Sequence, residues 1–417
     1  MYTEFRGRVY SVGDGFCYEG MIIVEKYSKY HFVIDCGSQA PKNKNQKIGK
    51  LSNQQECKER LKRISRKIVE QDEHINLLIL THLHVDHCNG VQYLLNKGIP
   101  DTIIMPYLYP EERLCLIINN DMDEEELEFM AMPYTRILNL AKEKNPNAKL
   151  ILIRGNDDSN NEINLDNSTN DESDVWGEPH EYSEEIMRLE DIESPDVQVL
   201  HANQKIIKFN DIIWIFKFFN LEADKNDVDV LKKIVGNLTA KDLYENINAL
   251  KKQYKNIAKK LFNDFNNTSI VTYHAPLQNI YRCGTLITGD INLKHNIADM
   301  ILKHYENERN KIGLFSVPHH GSDNNWDIKL IDNGFLDDSI CFASTHNHYP
   351  NRMTAAMMSD FGSHNISTFV VDENEYNEIE QYICGSHHMC VFSRYHEKSI
   401  TLNCLLNCSL SCSPNCL

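Results

Sequence analysis

Short apolar runs at residues 8–12, 21–26 and 31–35, separated by Gly-containing turns, predict a β-rich opening. Leu61, Ile64 and Ile68 then recur at helical spacing and predict a helix over 57–71. Residues 76–80 form a continuous apolar run of the kind that makes a buried strand, and a short helix at 91–96 and a strand at 102–105 follow. Residues 110–145 read as helical, 155–180 as a polar loop or mobile insertion, and 227–265 as helical again. From Thr268 the pattern returns to β. Residues 269–274 and 285–288 predict the arms of a hairpin, followed by a helix at 298–305, strands at 312–317 and 339–344, a helix at 353–361 and a strand at 368–371. Residues 382–384 and 389–392 predict a terminal hairpin with His387 and His388 at its turn. The order, β-rich then alternating α and β, twice over, argues for one α/β domain of two related halves. No repeat of fixed period accompanies it.

The length of 417 residues fits one large unit or two fused ones. No apolar run approaches the eighteen residues of a membrane helix, and the first residues lack a basic region followed by an apolar stretch. The expectation is a cytoplasmic protein with no membrane partner. Net charge is −17, but it is regional. Fifteen acidic residues fall between Gly155 and Asp196, where Arg188 is the only base, whereas ten Lys and Arg fall between Lys42 and Lys67. The overall sign therefore does not decide the partner. Of thirteen cysteines, nine are scattered from Cys17 to Cys390 and read as reduced, buried thiols. Cys404, Cys408, Cys412 and Cys416 recur every four residues in a tail over 399–417 and lack the paired spacing of a zinc site.

The strongest chemistry is His82-x-His84-x-Asp86-His87, directly after the apolar run at 76–80. Alternation in an extended segment puts His82, His84 and Asp86 on one side, and a turn into the next helix brings His87 round. Two imidazoles suit a zinc-like ion, and a carboxylate with an imidazole suits a second one beside it. A chance group of surface histidines is the competing reading. Four ligand-type residues among six, at the end of a buried strand, argue against it.

This motif resembles the signature of the metallo-β-lactamase fold hydrolases. The resemblance extends to Asp35-Cys36-Gly37 before it and to Leu286-Ile287-Thr288-Gly289-Asp290 after it. Pro318-His319-His320-Gly321-Ser322 looks like an element of the metallo-β-lactamase-like domain of competence DNA-uptake proteins (ComEC type) and their free-standing relatives. The resemblance covers about 1–105 and 265–395. It implies a four-layer αβ/βα sandwich over 1–105 and 266–398, with a largely helical, acidic insertion at 106–265. It also implies two divalent cations, zinc or manganese, that acidify a water molecule and polarise the substrate. The implied metal ligands are His82, His84, Asp86, His87, Asp290 as the bridging carboxylate, and His319. Asp86 would also orient the attacking water, and His320 would contact the substrate or support a ligand. Members of the family carry a further histidine shortly before the hairpin that leads to the aspartate, where this chain reads Asn263 to Ser269. His274 and His201 are candidates to replace it.

His346 and His348, one residue apart, read either as a general acid or phosphate contact, with His348 the catalytic candidate, or as a capping turn. The basic stretch at 42–67 reads either as a phosphate-backbone contact or as a solvated helix face. The expected activity is hydrolysis of a phosphodiester, with nucleic acid as the partner. The alternatives are hydrolysis of a small ester, lactone, thioester or cyclic nucleotide, and a non-catalytic metal-stabilised interaction module. Oligomeric state is not legible.

Overall fold

The computed structural model describes residues 3–404 apart from 26–27, 41–46, 49–50, 120–121, 123, 156–161, 164–195, 202–204, 207–213, 223–224, 237, 262–267, 278–281, 347–351, 375–376, 385–387 and 396–397. The chain begins β1 (Thr3–Val9), β2 (Cys17–Val24) and β3 (Ser28–Cys36), then two-residue strands β4 (Lys47–Ile48) and β5 (Leu51–Ser52) and helix α1 (Asn53–Gln71). Next come β6 (His74–Ile79), the short helices α2 (Val85–Cys88) and α3 (Val91–Leu95), and β7 (Ile99–Pro106). Helices α4 (Pro110–Asn119), α5 (Glu124–Ala131) and α6 (Pro133–Lys144) lead into β8 (Lys149–Arg154), β9 (Glu162–Ile163), β10 (Val197–His201), β11 (Lys205–Ile206) and β12 (Trp214–Phe219). After α7 (Lys225–Val235) and α8 (Ala240–Leu261) the chain continues through β13 (Val271–Pro276), β14 (Gly284–Ile287), α9 (Ile297–His304), β15 (Ile312–Ser316) and β16 (Ile340–Ser344). It ends in α10 (Ala355–Ser363), β17 (Ser367–Val371), β18 (Glu378–Cys384), β19 (His388–Tyr395) and β20 (Lys398–Cys404).

Two sheets result. One has the order β10-β8-β7-β6-β3-β2-β1-β18-β19-β20, the other β17-β16-β15-β14-β13-β12-β11-β9. Each joins an antiparallel part to a parallel one. Strands β3, β6, β7, β8 and β10 run parallel in the first, and β14, β15, β16 and β17 in the second. The buried parallel strands read as unbroken apolar runs because both faces are covered. Phe32, Ile34, Leu77 and Ile79 on the first sheet pack against Phe216, Leu314, Ile340 and Phe342 on the second, forming the central core. Leu61, Ile64 and Ile68 of α1 cover the outer face of the first sheet. Ile297, Ala298 and Ile301 of α9, with Phe361 of α10, cover the outer face of the second. The layers are therefore helix, sheet, sheet, helix, as the family resemblance implied.

Residues 106–265 are less purely helical than expected. They supply β8 and β10 to the first sheet and β11 and β12 to the second, and the helical stretch expected at 227–265 is broken into α7 and α8 after Val235. Gly236 follows with a φ of 84°, a conformation glycine takes without a Cβ clash. Cys17, Cys36, Cys57, Cys88, Cys115, Cys283 and Cys341 are buried free thiols, whereas Cys384 is exposed. The tail cysteines after Cys404 and most of the acidic stretch at 155–196 lie outside the described residues. Among the described residues no helix is long and apolar enough to cross a membrane.

His274 on β13 is fully buried in the central core. Phe5, Phe32 and Phe216 lie with ring centroids 5.5, 5.0 and 5.7 Å from its own. Neither ring nitrogen has a hydrogen-bond partner among the described residues, and burial pushes its pKa down to about 3. An unsatisfied buried polar group costs about 1–3 kcal/mol. His274→Leu is therefore expected to leave stability unchanged or raise it by about 1 kcal/mol in urea denaturation. A clear loss would mean that the imidazole has a partner the packing does not reveal.

Candidate metal centre

The site lies where the parallel strands of both sheets end at their carboxyl termini, the usual place for ligand-binding loops in open α/β sheets. Strand β3 delivers Asp35, and β6 runs through Leu80 and Thr81 into His82–His87. Strand β14 delivers Asp290, and β15 runs into the Pro318–Gly321 turn. The Ile270 N–H donates to the Thr81 carbonyl at 2.8 Å and ties the two sheets at this point. Gly37 lies against the backbone of Asp86, where a Cβ would fall 2.4 Å from the Asp86 carbonyl carbon and oxygen. The Asp35-Cys36-Gly37 element thus leaves room for the loop that carries the histidines.

The segment after β6 is extended only as far as His84, because α2 begins at Val85. Even so, ligand atoms of His82, His84 and Asp86 lie within 4.8 Å of one another. A second group, Asp86, His87, Asp290 and His320, meets the same limit. Asp290 stands between them. Its Oδ1 is 3.2 Å from His87 Nε2 and 3.7 Å from His320 Nε2, while its Oδ2 is 3.6 Å from His82 Nε2. His82 Nε2, His87 Nε2 and Asp290 Oδ1 are buried and have no hydrogen-bond partner among the described residues. Buried polar atoms are otherwise nearly always satisfied. Imidazole nitrogens and a carboxylate oxygen without other partners, turned towards one another, are donors that divalent cations take, so these residues fit a metal site.

The remaining ring nitrogens have partners that set the tautomers. His87 Nδ1–H donates to Asp35 Oδ2 at 2.7 Å, which leaves Nε2 as the lone-pair nitrogen. Asp35 is fully buried and also accepts from the Thr81 N–H at 2.7 Å and the Thr81 hydroxyl at 2.6 Å. The Thr81 hydroxyl oxygen in turn lies 3.0 Å from His82 Nδ1. His320 Nδ1–H donates to the Ser344 carbonyl at 2.9 Å and presents Nε2 to Asp86 Oδ2 at 3.1 Å.

Without a cation the cluster balances its own charge. Burial opposes ionisation of Asp290, but His319, His320, His87 and His82 hold its carboxyl well below the usual range. Burial likewise opposes ionisation of Asp86, whose carboxyl is held low chiefly by the hydrogen bond from His320. Burial disfavours the charged imidazole of His87, yet Asp290 and Asp35 raise its pKa well above the ordinary value. The pKa of His320 is also raised, against burial, mainly by Asp290. Burial and neighbouring His82 push His84 down to about 3, so it is neutral and ready to ligate. The raised pKa values of His87 and His320 mean that a cation competes with protons for these two rings. Metal binding is expected to release protons and to strengthen as pH rises. Calorimetry in buffers of different ionisation enthalpy measures this release, and pH-independent affinity would contradict it.

Of the residues singled out in the sequence, His82, His84, Asp86, His87, Asp290 and His320 are brought together. His319, the expected ligand of the pair, belongs to neither group, although its Nε2 is 3.7 Å from Asp290 Oδ2. Its neighbour His320, expected to contact substrate, is the buried ring inside the second group. His274 belongs to neither group, and His348 lies outside the described residues. His346 also belongs to neither; it is buried, with Nε2 3.4 Å from Glu373. In the basic stretch, Arg60 donates to the Val12 carbonyl, Lys62 pairs with Glu59 at 2.8 Å, and Lys67 lies 3.7 Å from Glu378. These three charges are engaged within the fold. The sequence reading did not assign Asp35 its orienting role; its position at a strand end, with Gly37 two residues on, was the available signal.

Residues 15–145 match the family model described as Metallo-beta-lactamase superfamily. The match lies in the first third of the chain, and the mixed α/β architecture of two large sheets is that of the metallo-β-lactamase fold. A solved structure described as "Crystal Structure of a New Diphosphatase from the PhnP Family" is similar over 87% of this chain and 85% of that chain, with 9% identity and a TM-score of 0.29. No curated protein sequence matches the chain.

Proposed function

We propose that the protein is a metal-dependent phosphodiesterase, with nucleic acid as the substrate class and two zinc or manganese ions as cofactors. The observation that supports it most is the pair of donor groups sharing Asp86 and flanking Asp290, with their free lone pairs turned inward. In this reading His82, His84 and Asp290 would hold one cation, and Asp86, His87, His320 and Asp290 would hold the other. Such a pair, when bound, supplies an acidified water and a Lewis acid at the electrophile. The chain's own residues do the rest. Asp35 and the Ser344 carbonyl hold His87 and His320 in the ligating tautomer. Asp86 is less buried than Asp290, with 14% of its side chain exposed, and would orient the attacking water. The choice of a phosphodiester rests on the resemblance of Pro318–Ser322 to the competence-type element, which is an argument by analogy.

A second reading is hydrolysis of a small ester or cyclic nucleotide, since Phe16, Ser316, Val317 and Ser344 line a small hollow with His87, Asp290 and His320 of the second group. The two separate in one assay series. Purified protein with Zn2+ or Mn2+ is expected to cleave bis-p-nitrophenyl phosphate and single-stranded nucleic acid, with activity lost on chelation. Hydrolysis confined to lactones, thioesters or cyclic nucleotides would replace the first reading with the second.

A further inference from the structure

Around the metal centre, the partly exposed side chains mark the side that faces solvent. His82, His87, His320 and Asp290 are almost fully buried, whereas Asp86 and His319 are 14% and 29% exposed. Arg352 borders that side, with 15% of its own side chain exposed. Its backbone is fixed beside the turn after β15. Arg352 pairs with Ser322 in an isolated antiparallel bridge, and the Met353 N–H donates to the Gly321 carbonyl at 2.7 Å.

From there the side chain reaches back along the turn. One terminal nitrogen donates to the His319 carbonyl, and the other is 3.7 Å from Asp14 Oδ1. Asp14 lies in the loop between β1 and β2. Two residues on, the Phe16 N–H donates to the Asp86 carbonyl at 3.1 Å. The guanidinium thus spans from the turn that carries His319, on the second sheet, to the loop that braces Asp86, on the first. The turn it holds is a costly one, because His319 and His320 take left-handed φ values of 50° and 55°.

Holding a carbonyl does not use all that a guanidinium offers, since an amide side chain supplies a neutral donor equally well. Arginine adds a permanent charge and a planar fork of five N–H donors that matches phosphate oxygens. Asp14 Oδ1 is buried and makes no hydrogen bond among the described residues, so it holds the guanidinium by charge rather than by a directed contact. The fork can therefore turn towards a second anion. Hydrolysis of a phosphodiester calls for such a charge. Water forms a bond to phosphorus, the bond to the leaving alkoxide breaks, and the proton that the water gives up ends on that alkoxide. Between these states the non-bridging oxygens carry added negative charge, which a fixed cation stabilises.

We propose that Arg352 is a substrate-binding residue, whose guanidinium takes a non-bridging oxygen of the scissile phosphodiester and stabilises the charge that develops there. This rests on the phosphodiesterase reading of the site. The test is steady-state hydrolysis of bis-p-nitrophenyl phosphate by the full-length protein with Zn2+ or Mn2+, comparing wild type with Arg352→Ala and Arg352→Lys. Bound metal and thermal melting are measured on the same samples. In Arg352→Ala, kcat should fall about 100-fold or more, the scale of losing one fixed donor to a developing oxyanion. Metal content and melting should hold, and added guanidinium chloride should restore turnover at least about tenfold. Arg352→Lys, which keeps the charge and loses the fork, should fall between the two. Wild-type kcat in Arg352→Ala, or loss of its bound metal together with its turnover, would overturn the assignment; the second result would mean that the side chain only holds the turn. Should Arg352→Ala fail to fold, Arg352→Lys must show a lowered kcat with full metal content, or the assignment fails. No phosphodiester hydrolysis by wild type would overturn the phosphodiesterase reading and this proposal together, whereas hydrolysis that Arg352→Ala leaves intact would overturn the proposal alone.

Discussion

Asp290→Ala is expected to reduce hydrolysis by roughly 10³-fold or more, equivalent to about 4 kcal/mol of transition-state stabilisation. The reason is geometric. The two oxygens of Asp290 face histidines of both donor groups, at 3.6 Å from His82 and 3.2 Å from His87. Removing it separates the groups and leaves four imidazoles to crowd one another, with His82 and His87 ring centroids already 4.0 Å apart. Metal content should fall with activity. The fold should survive, because the strands that deliver Asp290 are held by the Ile287 and Leu314 core rather than by the site. Asp290→Ala protein that keeps both ions and full turnover would remove Asp290 from the centre.

The second large effect belongs to Asp35. Every contact described for it is with a donor: the Thr81 N–H, the Thr81 hydroxyl and His87 Nδ1–H. Asparagine has the same shape but offers one acceptor oxygen and an NH2, so in either orientation the NH2 meets a donor. Asp35 is fully buried, so bulk solvent does not reach that conflict. Breaking a buried pair of this kind costs about 3–5 kcal/mol. Asp35→Asn is therefore expected to destabilise the protein by about that amount in urea denaturation. It should also weaken metal binding about 10–100-fold, because His87 loses the partner that fixes its tautomer. An Asp35→Asn protein with normal affinity for both ions would show that His87 needs no such orientation.

What the sequence disclosed follows the range of the physics. His82, His84, Asp86 and His87 are legible because six consecutive residues carry the donors and the apolar run before them fixes their place at a strand end. Asp35 has only its strand-end position before Gly37 to mark it locally, because its partners are 46 and 52 residues away. The sequence also cannot rank His319 against His320. They are neighbours of identical chemistry, and the left-handed backbone at both decides which ring is buried. Strands β8 and β12 were hidden for a different reason. LILI in Lys149–Arg154 and the aromatic run of Trp214–Phe219 lack the alternation of a half-exposed strand, and periodicity alone does not separate such runs from helix. His274 was a reasonable substitute ligand by type, and only packing shows it enclosed by aromatic rings.

The most direct measurement is anomalous diffraction from crystals of the protein grown with Zn2+ or Mn2+. The account predicts two peaks on either side of Asp290, one beside His82 and His84 and the other beside Asp86, His87 and His320. Crystals that show no cation there, or cations only at other surfaces, would contradict it.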